Sequence, residues 1–396
     1  MTDSKTPTAN EVLFDEAIRR QIRLRRFSAG EVRRAAALLD DSEKAMIALL
    51  LSKLDPLAGG PIPAARSVTL KRLEALIEEI AQMRQDAWAS VRVEVTAMLK
   101  EYAKAEAANE HVTLDDAVPI KLELIRPPVA KVMAAATARP FQGQLLSEWY
   151  KNLEVADRKR IVAALRRGVV EGMKTDEIVR LIRGSRDAGF ADGAFAGSRR
   201  DLEAIVSTAI SHVSNAAREE VWEANSDILE GLRWTSTLDG RTSAVCRSRD
   251  GKIYMVGEGP RPPAHVRCRS VMVPVLKGSA IVGSRPTVTD TRTRKEREVD
   301  FKAIAKKSGI NVQAARDAWA KTNVGSTPAE TTYDGFLRRQ SAAFQDEVLG
   351  KRRGQLYRQG GLELGAFVDR SGTELTLDQL KKLRPDAWKK AFGDGN

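Results

Sequence analysis

Trp234–Arg269 reads WTSTLDGRTSAVCRSRDGKIYMVGEGPRPPAHVRCR, and this stretch decides what kind of fold the chain can have. Just before and within it, Leu232–Thr237 (LRWTST) alternates as a half-buried strand does, and Asp239-Gly240 follows. Asp250-Gly251 precedes Lys252–Val256 (KIYMV), and Asp-Gly pairs are favoured hairpin turns because Gly accepts the positive φ they need. Ser270–Leu276 (SVMVPVL) then reads as an edge strand, since Pro274 has no N–H to give to a ladder. Leu232–Leu276 is therefore expected to be a small β-rich module, a β-hairpin unit set in an otherwise helical chain.

Between its two cysteines the segment is mostly turn sequence, with Gly251, Gly257, Gly259, Pro260, Pro262 and Pro263. Such a segment buries little apolar area of its own, so something must fix its ends. Both cysteines of the chain (Cys246, Cys268) and one of its three histidines (His265) fall inside it. These are good zinc ligands, and His-x-x-Cys is a workable half-site. A structural zinc needs four ligands; Asp239 or Asp250 is a candidate for the fourth. The alternatives are a Cys246–Cys268 pair, reduced or oxidised, or a knot of turns held by hydrogen bonds. In that last reading Asp239 caps its own turn, Arg241 bonds carbonyls and His265 is buried. A Cys/His nucleophile is conceivable as well. Against an enzyme stands the lack of a Gly-rich phosphate cradle, a Ser/His/Asp signature or paired carboxylates on a helix face.

Outward from the module the periodicity is helical. Ser28-Ala29-Gly30-Glu31 matches a capping box and opens a first helix, with a break expected near Leu39–Ser42. Asp55–Ser67 (DPLAGGPIPAARS) is a Pro/Gly-rich connector. Leu70, Leu73, Ile77, Ile80, Trp88, Val91, Val95, Met98 and Tyr102 predict one long helix, about 68–105, fit for a coiled-coil-like stalk or a bundle. Helical sequence continues through Gln144–Gly172, and Thr175 caps a short helix ended by Gly184. Gly184–Ser198 (GSRDAGFADGAFAGS) reads as a mobile loop, and a helix runs from Ser198 to about Asn225, with His212 packed near its apolar stripe. Lys277–Glu298 reads as a polar, Arg-rich linker. Beyond it Tyr333–Gly350 fits one helix, and Thr376-Leu377-Asp378-Gln379 caps a last one. The expected divisions are a helical N-terminal region (1–144), a central domain (145–276), a basic linker (277–298) and a helical C-terminal region (299–396). The fold class is mainly α with a small α+β module.

Composition bounds the function. The 396 residues carry 65 Lys+Arg against 53 Asp+Glu, a net charge of +12, and such a field attracts polyanions, nucleic acid first among them. Arg338, Arg339, Lys351, Arg352, Arg353 and Arg358 cluster on the C-terminal helices and are the candidate DNA contacts; their alternative is a solvated helix face. With no base-reading motif, contact should be sequence-independent and fall steeply with salt. No apolar run reaches the ~18–20 residues of a spanning helix, and Met1–Asn10 is polar, so neither membrane anchor nor signal peptide is expected. Two cysteines cannot staple a chain this long, as expected of a protein made in a reducing cytosol.

Reduced to its pattern, the central stretch is Trp234, Asp239, Arg241-Thr242, Cys246, Asp250-Gly251, Pro263, His265 and Cys268-Arg269. It resembles the signature of the phage Mu F-like minor head proteins, or head morphogenesis proteins. The preceding helix, with Ser207-Thr208-Ala209 and Asn215-Ala216-Ala217-Arg218, is similar to that family's, and Tyr333–Gly350 resembles a tail segment of a phage subset of it. Where many members carry a further Cys, this chain has Ser270. The resemblance implies a non-enzymatic structural virion protein, assembled in the host cytoplasm and placed inside the head near the portal vertex. Its partners would be the portal protein, capsid or other internal head proteins, and packaged double-stranded DNA. No cofactor is required beyond a possible structural zinc. The rival readings are a toxin-like or nuclease effector using Cys246, His265 and Cys268, and a cytoplasmic DNA-binding protein.

Overall fold

The structure is a computed structural model that describes residues 7–54, 66–118 and 122–393. The first helix, α1 (Ala9–Leu54), is continuous through both Ser28 and the expected break at Leu39–Ser42. Its buried stripe steps by threes and fours through Leu13, Ala17, Arg20, Leu24, Ser28, Glu31, Ala35, Leu39, Glu43, Met46, Leu50 and Leu54. Four of those positions are polar, which is why apolar spacing alone misplaces the start. Ser28 is not a cap but a buried mid-helix residue whose Oγ lies 3.0 Å from Ser207 Oγ. Most of the Asp55–Ser67 connector lies outside the described residues.

The second helix, α2 (Arg66–Ala117), runs past the expected end at 105. It packs in a bundle, not a free stalk, with α1, α3 (Val129–Ala138), α4 (Leu146–Val170) and α6 (Ala194–Ala224). Buried polar groups fix their register. Asp157 of α4 accepts from Arg84 Nε and Trp88 Nε1, both at 2.8 Å, and also from Ser198 of α6. Glu110 of α2 accepts from Arg218 Nε at 2.9 Å and Trp222 Nε1 at 2.6 Å, and is paired with Arg20 of α1. Charges this deep are tolerable only when paired.

Between α5 (Thr175–Arg183) and α6, the stretch expected to be a mobile loop is a structured turn. Asp192 accepts from Ser185 N and Oγ, both at 2.8 Å. Gly193 lies so close to the end of α5 that a Cβ there would sit 2.3 Å from Gly184 N.

A three-stranded antiparallel sheet follows, with β1 (Leu229–Thr235) between β2 (Ile253–Tyr254) and β3 (Val271–Leu276). Pro274 sits opposite Leu232 on the edge strand, as its missing N–H requires. That edge does not face water. Asn10 of α1 accepts from Leu276 N at 2.7 Å and donates to Ser279 O at 2.6 Å, while Phe14 and Ala17 cover Val271 and Val273. The N-terminal helices and the sheet thus share one core, in which Leu13, Leu24, Val91, Val206, Trp222, Leu232 and Trp234 are buried together.

The two Asp-Gly pairs are not hairpin turns. The chain passes from β1 to β2 through a short helix, α7 (Ala244–Arg249), capped by Ser243. The expected linker is not a linker either: it holds β4 (Ser284–Val288) and the start of α8 (Arg294–Ser308). A further helix, α9 (Val312–Thr322), leads to β5 (Val324–Pro328), which pairs antiparallel with β4.

The C-terminal region holds α10 (Tyr333–Arg338), α11 (Ala342–Leu349), α12 (Lys351–Arg358), α13 (Leu377–Leu383) and α14 (Pro385–Phe392). Tyr333–Gly350 is two helices because Ser341 caps a new start. Thr376 caps α13, and α14 follows it. Leu238 of the central motif is buried in this region's core beside Tyr333, Phe336 and Phe344. The fold is mainly α with a small α+β module. No helix among the described residues is long and apolar enough to cross a membrane.

Candidate functional site

Cys246 comes from α7, positioned by Ser243 at the helix start; His265 and Cys268 come from the irregular segment that re-enters the sheet at β3. That segment is held to α6 at two points. Arg261 clamps the buried carboxylate of Glu219 at 2.7 and 3.0 Å, and Arg267 N donates to Thr208 Oγ1 at 3.0 Å. The result is a convergent trio. Cys246 Sγ lies 3.6 Å from Cys268 Sγ and 3.4 Å from His265 Nε2, and all three ligand atoms fall within 4.8 Å of one another.

The two cysteines are free thiols. Contact with Cys246 and with His265 drives Cys268 below the ordinary thiol range, while contact with Cys268 and burial push Cys246 above it. The Cys268 sulfur raises the His265 imidazole above its usual value.

The distances test a metal directly. Tetrahedral zinc with Zn–S of about 2.3 Å and Zn–N of about 2.0–2.1 Å separates two sulfurs by about 3.8 Å and a sulfur from a nitrogen by about 3.6 Å. The two edges at Cys246, 3.6 and 3.4 Å, come within about 0.2 Å of these values. Neither carboxylate suggested as a fourth ligand joins the cluster. Asp239 is gripped by Arg269 at 2.5 and 2.7 Å, and Asp250 by Arg285 at 3.0 and 3.1 Å. The nearby hydroxyls are Ser243 Oγ, 2.8 Å from His265 Nε2, and Ser270 Oγ, 3.0 Å from Ser236 Oγ.

Around the trio most motif residues have a structural task. Trp234 is fully buried; its Nε1 donates to Ser236 Oγ at 3.0 Å, and Ser236 donates to Cys246 O at 3.0 Å. Asp239 caps its own turn, accepting from Arg241 N at 3.0 Å, and Thr242 Oγ1 donates to Thr237 O at 2.6 Å. The Arg241 side chain bonds no carbonyl; it stands in solvent 3.7 Å from Asp239. Gly251 has φ +84° and donates to Trp234 O at 2.8 Å, and a Cβ there would lie 2.6 Å from Thr332 Cγ2.

Asp250 is the hub. Besides Arg285 it accepts from Ser236 N at 2.5 Å and Tyr333 N at 2.7 Å, tying β1, β4 and α10 together. Arg285 is the residue that sequence reasoning misses: it looks like one more charge in an Arg-rich stretch. The only signal for it was the alternation of Ser284–Val288, which places Arg285 on the buried side.

These elements, from the later turns of α4 through α6, α7 and the sheet, coincide with a family match. Residues 159–273 fit the family model described as phage Mu protein F like protein. This part of the chain is Mu F-like. No match was found among curated proteins or among solved structures. The whole Cys/His cluster lies inside the Mu F-like segment, whereas Asp250's partners Arg285 and Tyr333 lie beyond its end.

The candidate DNA-contact residues lie apart from this site. Arg338 pairs with Asp334 at 2.7 Å over the Tyr357 ring, Arg358 pairs with Asp346 at 2.8 Å, and Arg353 donates to Leu375 O at 2.7 Å. Arg352 lies over the Phe392 ring. Arg339 reaches the Thr327 hydroxyl at 3.3 Å, and Lys351 is exposed.

Proposed function

We propose that the chain is a structural minor head protein of a tailed phage, seated at the portal vertex inside the capsid and in sequence-independent contact with packaged DNA. The Mu F-like match over residues 159–273 supports a phage head-morphogenesis protein and carries this reading. The site agrees with a structural role. Cys246 is 2% and Cys268 7% exposed, both within the main core, so neither sulfur is offered to a macromolecular substrate. The trio's work is to lock the turn-rich segment to α7 and the sheet, and zinc is the ion whose bond lengths its spacing fits.

Mass spectrometry of purified virions should find the protein, and immobilised portal protein should retain the full chain. Density for it on the outer capsid or tail tip would overturn the placement. The Cys246–His265 contact is also what a Cys-dependent effector would need. A nuclease or transferase turnover that disappears in Cys246→Ala, with folding retained, would decide for that rival.

A further inference from the structure

The cation clusters on the surface differ in whether a carboxylate already pairs with them directly. The C-terminal arginines are mostly paired in this way, since Arg338 and Arg358 hold Asp334 and Asp346. The lysines of the α8–α9 tip are not. The two helices leave the β4–β5 ribbon at Val288 and return at Val324, residues that pair with each other. They turn through three residues, with Gly309 left-handed at φ +65° and Asn311 capping α9. Their own small core is Phe301, Ala305 and Ala315, with Val312 and Trp319 against it.

That core turns Phe301 and Ala305 inward and leaves Lys295, Lys302 and Lys306 on the outer face of α8. Their spacings of seven and four residues place them in one row about 16 Å long. Each carboxylate of α8 makes its direct bond elsewhere, Glu296 with the Thr293 cap, Glu298 with Arg316 and Asp300 with Arg292, and Lys302 reaches Glu298 only through its field. Among the described residues none of the three lysines has an ion-pair or hydrogen-bond partner, nor do Lys307 and Lys321 in the last turns of α8 and α9. On α9 the outward Gln313 and Asp317 bond each other at 2.9 Å, so the tip has few free groups with which to read bases.

We infer that the outer face of α8, through Lys295, Lys302 and Lys306, is a docking surface for the phosphate backbone of duplex DNA. The inference rests on the DNA contact in the proposed function and moves it from the C-terminal helices to this tip. A row of ammonium groups without direct ion pairs gains free energy from a polyanion by counterion release, independently of sequence.

The test uses the full chain and unrelated duplexes of about 30 base pairs, with binding followed by fluorescence anisotropy across a salt series. The triple variant Lys295→Gln/Lys302→Gln/Lys306→Gln should flatten the plot of log affinity against log salt by about 3, near 0.9 per lost contact. Near physiological salt it should bind on the order of 100-fold more weakly. Its melting temperature should match the parent's, because the lysines have no partners to lose. Lys→Arg at the same three positions should restore binding, and Arg339→Gln/Lys351→Gln should bind like the parent. If the parent binds duplex and the triple variant keeps its slope, this assignment alone fails. If the parent binds no duplex at any salt, the assignment and the DNA clause of the proposed function fall together, while virion composition still tests the rest.

Discussion

Asp250→Asn should be among the most damaging single substitutions outside the apolar core. Asp250 is 7% exposed and Arg285 2%, and the carboxylate accepts two bonds from that guanidinium as well as from Ser236 N and Tyr333 N. Asparagine keeps the shape but turns an amide N–H₂ toward donors, leaving a buried guanidinium uncompensated. Breaking a buried pair in this way costs about 3–5 kcal/mol. For a cooperative unit of this size that lowers Tm by roughly 5–15 °C. Urea unfolding of parent, Asp250→Asn, Arg285→Met and the double variant gives the coupling directly. The two single losses should exceed the double loss by about 1–3 kcal/mol, because the second change removes the orphan the first creates. A loss below about 1 kcal/mol for Asp250→Asn, or strict additivity in the cycle, would refute Asp250 as the joint between the sheet and the C-terminal region.

The full chain purified without chelator should carry about one zinc per chain, and Cys246→Ser or Cys268→Ser should lose it and lower Tm. Zinc-free protein whose Tm ignores added zinc would leave the trio as a hydrogen-bonded knot. Burial would raise Glu110, but Arg218 and Arg20 hold it down at about 2, so its ionised form stabilises the fold fully above pH 4.5 and less as pH falls toward 2. The parent should therefore lose about 3 kcal/mol over that window that Glu110→Gln, already destabilised, does not lose; parallel pH profiles would remove the network from the account. Gly193→Ala puts a Cβ 2.4 Å from Arg183 C and should cost about 1–3 kcal/mol, with faster hydrogen exchange at the α5–α6 turn; a neutral outcome would mean the turn is as mobile as its composition suggests.

Much of the centre was legible because its chemistry is rare. Two cysteines and a histidine in one turn-rich segment can be named as a cluster without coordinates, and Pro274 marks an edge strand by what its nitrogen lacks. What escaped reading were polar residues doing core work. Arg20, Ser28, Glu31 and Glu43 interrupt the apolar stripe of α1, and at least Arg20, Ser28 and Glu43 are answered from α2 or α6, so a 46-residue helix reads as two pieces. Arg285 hid for the same reason. Asp239 and Asp250 were recognised as turn residues, but which arginine each would hold depends on pairings 30 and 35 residues away. No local pattern encodes such a choice.

The bonds from Asn10 to the end of β3 span 266 residues of chain. A ribosome adding 5–20 residues per second makes Leu276 roughly 15–50 s after Asn10. For that interval α1 has no sheet to cover, and Leu13, Phe14 and Ala17 wait as an apolar face in water. A helix made well before the sheet is thus among the last elements to be completed. The growing chain has to be shielded along α1, by a chaperone or by early pairing of α1 with α2, until β3 is made.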